Sequence, residues 1–194
     1  MAAVREHFPK LTPAEYLDWE QEQEFRHEYL NGEVYAMTGG TLNHSRIGRN
    51  FLTMLTLHLQ GKGCEAFNSD AKVQIAASND YVYPDVSVTC DERDKIATKF
   101  ISHPCLIVEV LSPSTAAYDR RDKFNLYRRS DSLQDYVLVD TNKIEIDIYS
   151  KNERGRWEIL SYVAGDTIEI QSIDLTFSIE QVFENIIFDP ESEG

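Results

Sequence analysis

The sequence predicts a mixed α/β (α+β) fold, with helices flanking a sheet, and three observations carry that expectation. Cys105-Leu106-Ile107-Val108-Glu109-Val110-Leu111 is a nearly continuous apolar run, as expected of a central strand buried on both faces, and Tyr136-Val137-Leu138-Val139 is another. Before Gly61, Ile47, Phe51, Met54, Leu55 and Leu59 recur at spacings of three and four, the stripe of a helix lying on a core. Beyond residue 143, short runs of β-formers alternate with turn residues in the pattern of an antiparallel meander.

Taken in order, Thr12-Pro13-Ala14-Glu15 opens a first helix that runs to about Gln23. Thr12 caps it, Pro13 suits its first position and Glu15 completes a capping box. Residues 25–37 read as two short strands turning at Asn31-Gly32. Gly39-Gly40 breaks the chain before the second helix, which starts near Asn43 or His44. Residues 64–76 and 81–89 carry β-formers around a turn at Ser78-Asn79-Asp80, and residues 90–100 form a polar connection. The apolar strand at 105–111 follows, then a third helix from about Asp119 to Arg129, then the strand at 136–139. In the meander, residues 144–149 pair with 157–163 across Asn152-Glu153-Arg154-Gly155, and 167–170 continue it after Gly165-Asp166. Ser178 caps a short last helix through Phe183. Residues 189–194 read as a loose tail, and nothing suggests a linker or repeat, so residues 1–194 are expected to form one domain with its core at about 43–140.

The totals narrow the function. A chain of 194 residues with 42% hydrophobic and 27% charged residues can bury a sizeable core and is not a disordered one. No apolar run approaches the roughly 20 residues of a membrane helix, and the N-terminal residues lack the apolar stretch of a secretory signal. Cys64, Cys90 and Cys105 are odd in number, widely spaced and without CxxC. They read as ordinary buried residues in a protein of the reducing cytoplasm, with a zinc site at Cys105 and His103 as a weaker alternative. The net charge of −14 argues against a constitutive coat on DNA but leaves room for a locally basic cleft. Residues 120–129, with five cations and one anion, are the one basic island. They offer Arg120 and Arg121 for phosphate contacts, although a solvated helix face is the plainer reading.

Two acidic residues break the pattern around them. Glu109 interrupts an apolar strand, where an ionised carboxylate is costly unless it is paired or bound to a cation. Asp85 follows Pro84 inside a strand pattern, and proline belongs at an edge, an end or a bulge. A salt bridge would account for Glu109 and a plain turn for Asp85. If their strands are neighbours, however, the two carboxylates converge on one oxygen-coordinated ion. Mg²⁺ (or Mn²⁺) is held in this way, together with water and a substrate phosphate, and activates water for attack on phosphorus. Lys123, one short helix downstream, is the natural cation to position the water or neutralise growing charge. His44, Glu28, Asp119 and Asp70 are supporting candidates. Three of them also have a specific structural reading: a cap or packed imidazole for His44, an arginine pair for Glu28, and a helix cap for Asp119.

An aspartate after proline, a glutamate in an apolar strand and a lysine together resemble the PD-(D/E)XK nuclease superfamily. Glu28-Tyr29-Leu30-Asn31-Gly32-Glu33, the helix led by His44, Pro84-Asp85 and Glu109-Val110-Leu111-Ser112-Pro113-Ser114-Thr115 are similar to the Uma2 family, also called DUF820. These are restriction-endonuclease-like proteins abundant in cyanobacteria. Tyr118-Asp119 with Lys123, and Asp135-Tyr136-Val137-Leu138-Val139-Asp140, extend the resemblance over residues 11–183. It implies a restriction-endonuclease-like mixed sheet with an αβββαβ core. It also implies metal-dependent hydrolysis of DNA phosphodiesters, with Asp85 and Glu109 as ligands. The superfamily's lysine stands two residues after the acidic one, where this chain has Leu111, so Lys123 must replace it from the following helix. A homodimer or higher homo-oligomer is expected of an enzyme that cuts both strands. The competing reading is a non-catalytic binding or assembly module of the same fold. No serine elbow or phosphate-binding glycine loop offers a third.

Overall fold

The computed structural model describes residues 3–4, 10–37, 39–112 and 115–188. The chain runs β1 (Ala3–Val4), α1 (Pro13–Glu20), β2 (His27–Leu30), β3 (Glu33–Met37), α2 (Leu42–Leu59), β4 (Glu65–Asn68), β5 (Val73–Ile75), β6 (Asp80–Val82) and β7 (Val86–Thr89). It continues through α3 (Glu92–Lys95), β8 (Pro104–Val110), α4 (Ala116–Tyr118), a π-helical turn (Asp119–Lys123) and α5 (Phe124–Tyr127). The last strands are β9 (Asp135–Val139), β10 (Glu145–Lys151), β11 (Trp157–Val163), β12 (Thr167–Ile170) and β13 (Leu175–Ser178). Local chemistry sets several of these ends. Thr12 and Glu15 cap α1 reciprocally, the Thr12 hydroxyl accepting from the Glu15 amide and the Glu15 carboxylate from the Thr12 amide. Asn31 and Gly32 both take positive φ, 52° and 85°, as a tight β2–β3 hairpin requires.

The central sheet has six strands in the order β11-β10-β9-β8-β7-β4. β4, β7 and β8 are antiparallel neighbours, whereas β8 and β9 are parallel and joined by the helical segment at 116–127. With α2 leading, this is the αβββαβ order. Along β8 the side chains alternate between two cores. Leu106, Val108 and Val110 pack with Ile47, Phe51, Leu55 and Leu59 of α2, while Ile107 and Leu111 pack with Tyr127, Leu133, Tyr136 and Leu138. Glu109 falls on the second face.

Four expectations need correction. The strand patterns at 64–76 and 81–89 are each divided between sheets. β5 and β6 leave the central sheet for a second one, ordered β1-β3-β2-β6-β5, and the chain returns at Tyr83-Pro84-Asp85. β12 pairs with β13 rather than extending the meander, because residues 171–173 form a 3₁₀ turn that folds the chain back on itself. Ser178 makes no capping bond to the 3₁₀ turn after it; its hydroxyl donates to the Glu180 carboxylate instead. Cys64 and Cys90 form a disulfide. They sit just beyond the paired residues Glu65 and Thr89, where antiparallel register makes them cross-strand neighbours, which a spacing of 26 residues does not reveal. The cysteines therefore lend no support to a reducing compartment. Cys105 is free with its Sγ 3.7 Å from that of Cys90, and His103 faces Asp94. The polar connection at 90–100 contains α3, and the tail at 189–194 lies outside the described residues. Among the described residues, no helix is long and apolar enough to cross a membrane.

Candidate active site

β7 and β8 bring the two anomalous carboxylates together. Their register pairs Val86 with Val108 and Ser87 with Ile107, so one residue further Asp85 stands opposite Glu109. Facing residues on adjacent antiparallel strands have Cβ atoms about 5 Å apart. Asp85 lies just outside β7, where Pro84 ends the passage between sheets. Its Oδ2 accepts a 2.8 Å hydrogen bond from the Val110 amide, which locks it onto the β8 backbone. His44, one turn into α2, places Nε2 3.3 Å from the same oxygen, outside hydrogen-bond alignment. Burial pushes the Asp85 carboxyl up, but His44 and the Val110 amide pull harder and hold it below its ordinary value.

Glu109 is 1% exposed. Its Oε1 accepts 2.7 Å from the Tyr127 hydroxyl and lies 2.8 Å from Lys123 Nζ. Lys123, 3% exposed, also lies 3.6 Å from Glu28 Oε1 and 4.0 Å from Asp119 Oδ1. The π-helical turn that carries Asp119 and Lys123 aims both side chains inward, and such turns recur at functional sites. Four buried carboxyl groups (Glu28, Asp85, Glu109 and Asp119) thus share one ammonium group and one imidazole. The imbalance shows in their acidities. Burial, with Asp85 and Asp119 adding repulsion, outweighs Lys123 and pushes Glu109 up to about 8. Asp119 is raised by burial against the opposing pull of Lys123 and Thr115. Burial works against the Lys123 cation, but Glu109, Glu28 and Asp119 more than offset it, so Lys123 stays protonated.

This donor set fits a divalent cation: it is all oxygen, buried and over-supplied with negative charge. Among the described residues no three His, Cys, Asp or Glu side chains are grouped so as to hold a metal ion by themselves. Mg²⁺ does not need three, because water and substrate phosphate complete its shell. Asp85 alone of the four carboxylates reaches the wall of a cleft of about 390 Å³ along α2, lined also by Thr41, Ser45, Gly48, Arg49 and Ser69.

Not every candidate joins the cluster. His44, Glu28 and Asp119 do. Asp70 does not: it is turned outward after β4, 68% exposed and paired with Arg26 at 2.6 Å. Arg120 is tied to Asp147 and lies 3.8 Å from Glu145, both on β10, so it is not held free for phosphate. Arg121 is exposed. Tyr127 escaped the sequence reading, although it stands four residues after Lys123, on the same helix face. Tyr83 was also missed; its amide donates to Glu28 Oε1 at 3.3 Å, and only the folded chain brings the two together.

The chain is similar to known proteins over most of its length. The sequence profile of the Uma2 family, described as "Putative restriction endonuclease", matches residues 13–180. The uncharacterized protein slr1290 of Synechocystis sp. is 52% identical over 181 residues, which cover 93% of this chain and 95% of that protein. The uncharacterized protein sll1609 of the same organism is 35% identical over 163 residues, covering 83% and 92%. A crystal structure of a "putative nuclease belonging to DUF820" from Anabaena variabilis superposes with a TM-score of 0.74. It covers 91% of this chain and 99% of its own at 19% identity, and so shows the shared fold. The chain belongs to the Uma2 family and has its restriction-endonuclease-like fold.

Proposed function

We propose that this protein is a metal-dependent endonuclease that hydrolyses DNA phosphodiester bonds, with Asp85 and Glu109 holding Mg²⁺ or Mn²⁺ and Lys123 assisting the attack of water. The observation that supports this most is the facing pair Asp85 and Glu109, buried with Lys123 2.8 Å from Glu109 in a cluster of excess negative charge. Bound there, a divalent cation would supply Lewis-acid polarisation of the phosphate and would make a bound water more acidic.

The protein's own groups define the remaining roles. In hydrolysis the water oxygen bonds to phosphorus, the bond to the leaving sugar oxygen breaks, and a proton must reach that oxygen. Lys123 stays cationic, so its role is to orient the water and balance charge growing on the phosphate, not to act as a base. Tyr127 fixes Glu109 through a hydrogen bond, the Val110 amide fixes Asp85, and His44 stands 3.3 Å from the same Asp85 oxygen. The cleft beside α2 admits the scissile phosphate at Asp85, where Arg49 lines the wall and can meet the backbone. Cutting both strands of a duplex would be met by a homodimer with two symmetric sites.

A second reading, a non-catalytic binding module, draws support from the near-complete burial of Glu109 and Lys123. Incubation with supercoiled plasmid and with single-stranded DNA, in Mg²⁺ or Mn²⁺ and beside EDTA controls, decides between them. The nuclease reading expects metal-dependent cutting that Asp85→Ala abolishes. Intact substrate under every condition would favour the module.

A further inference from the structure

A second cavity, of about 240 Å³, lies between the segment after α1, the start of β5 and Tyr83. Lys72 on its wall is only 9% exposed, with Nζ 4.8 Å from the centre of the Tyr16 ring and 5.6 Å from that of Tyr83. Among the described residues no carboxylate lies within ion-pair distance of this ammonium group and no acceptor takes its hydrogen bonds, so its contacts there are the two aromatic faces. The nearby acids are committed elsewhere. Glu20 accepts from the His27 amide at 2.9 Å and the Tyr83 hydroxyl at 3.0 Å, and Asp70 pairs with Arg26. Lys99 lines the same cavity. Burial pushes the Lys72 ammonium below its ordinary value, Glu20 opposes it, and Lys99 adds a smaller downward push. Arg26 and the exposed ring of Phe25 complete the wall, and Glu24 stands on it as well.

A buried cation that lines a cavity, with no carboxylate at ion-pair distance, has room for an anion there. We infer that this cavity binds a phosphate group, and that the group belongs to the nucleic-acid strand whose scissile phosphate lies at Asp85; the assignment to that strand rests on the nuclease reading. The two cavities share a border. Asn68 and Ser69 line the Asp85 cleft while Asp70 lines this one, and Arg26 Nη1 donates to the Ser69 carbonyl. Tyr83 precedes Asp85 by two residues, about 7 Å of extended chain. Phe25 presents a ring on which a base can stack, and such stacking adds affinity without base preference.

The test uses the full chain in EDTA, so that nothing is cut, with a 5′-phosphorylated thymidine tetranucleotide as one probe and inorganic phosphate as the other. Lys72→Gln is expected to weaken the tetranucleotide at least about tenfold, the loss of one charge-assisted hydrogen bond. The slope of log affinity against log salt should fall by about 0.7. Lys99→Gln, on an exposed side chain, should act in the same direction, and Lys72→Arg should retain most of the binding. Lys72-dependent binding of inorganic phosphate alone would support the anion site and assign it to free phosphate. Equal binding by wild type and a folded Lys72→Gln, or no binding of either probe, would overturn the proposal. Lys72-dependent binding by a protein that cuts no DNA would remove the nuclease reading and leave the anion site standing.

Discussion

Glu109→Gln should make the metal-free protein more resistant to alkaline pH. Glu109 is buried against Asp85 and Asp119, and its carboxyl is raised from 4.5 to about 8. A group whose pKa is raised on folding contributes stability that is fully present below its unfolded pKa. That stability is lost as pH rises toward the folded value, here between about 4.5 and 8. The full interval corresponds to at most about 5 kcal/mol, and between pH 5 and 9 about 4 kcal/mol of it should disappear from the wild type. Glutamine keeps the shape of the neutral acid and cannot ionise, so the variant should lose none of this portion. Urea unfolding at pH 5.5, 7 and 9 in EDTA measures the difference directly. The gap between the two proteins should widen in favour of Glu109→Gln as pH rises, and saturating Mg²⁺ should close it by stabilising the ionised wild type. Parallel curves at all three pH values would refute the claim that Glu109 carries excess charge.

Other substitutions probe the same arrangement. Lys123→Met removes the one ammonium group from the carboxylate cluster and should destabilise the metal-free protein by roughly 3–5 kcal/mol, the cost of an uncompensated buried charge, read as a lower denaturation midpoint. Tyr127→Phe removes the 2.7 Å hydrogen bond to Glu109 and should cost about 1–3 kcal/mol in the same assay. Gly48 sits mid-helix, and a Cβ there would meet no atom within 4 Å. Gly48→Ala should therefore raise stability by about 1 kcal/mol, whereas Gly48→Phe should fill the cleft and suppress DNA cleavage without unfolding the protein. Cleaving the Cys64–Cys90 bond, which spans 26 residues, should cost about 3 kcal/mol on comparing unfolding with and without reductant.

The sequence made much of this arrangement legible because the informative residues violate their surroundings. A glutamate inside Leu-Ile-Val-Glu-Val-Leu is costly unless something answers its charge, and that local contradiction identified Glu109 without any knowledge of the fold. α2 and β8 were equally plain, since period and continuous apolarity are properties of short segments. What stayed hidden depends on pairing over long separations. The proline at position 84 signalled a disturbance, but only the sheets show that it marks a crossing from one to the other. The disulfide and the Asp147 partner of Arg120 were hidden for the same reason: each joins segments whose proximity is decided by register. Lys72 lay outside the sequence reading altogether, because a lysine looks like surface until its burial is known.

Calorimetric titration of the full chain with Mn²⁺ and Mg²⁺, run in two buffers of different ionisation heat below pH 8, tests the central claim most directly. The carboxylate-pair account predicts a saturable cation site that is lost in Asp85→Asn. Occupying the site should release a proton from Glu109, and that release should vanish in Glu109→Gln. Absence of binding in the wild type, or binding unchanged by both substitutions, would contradict it.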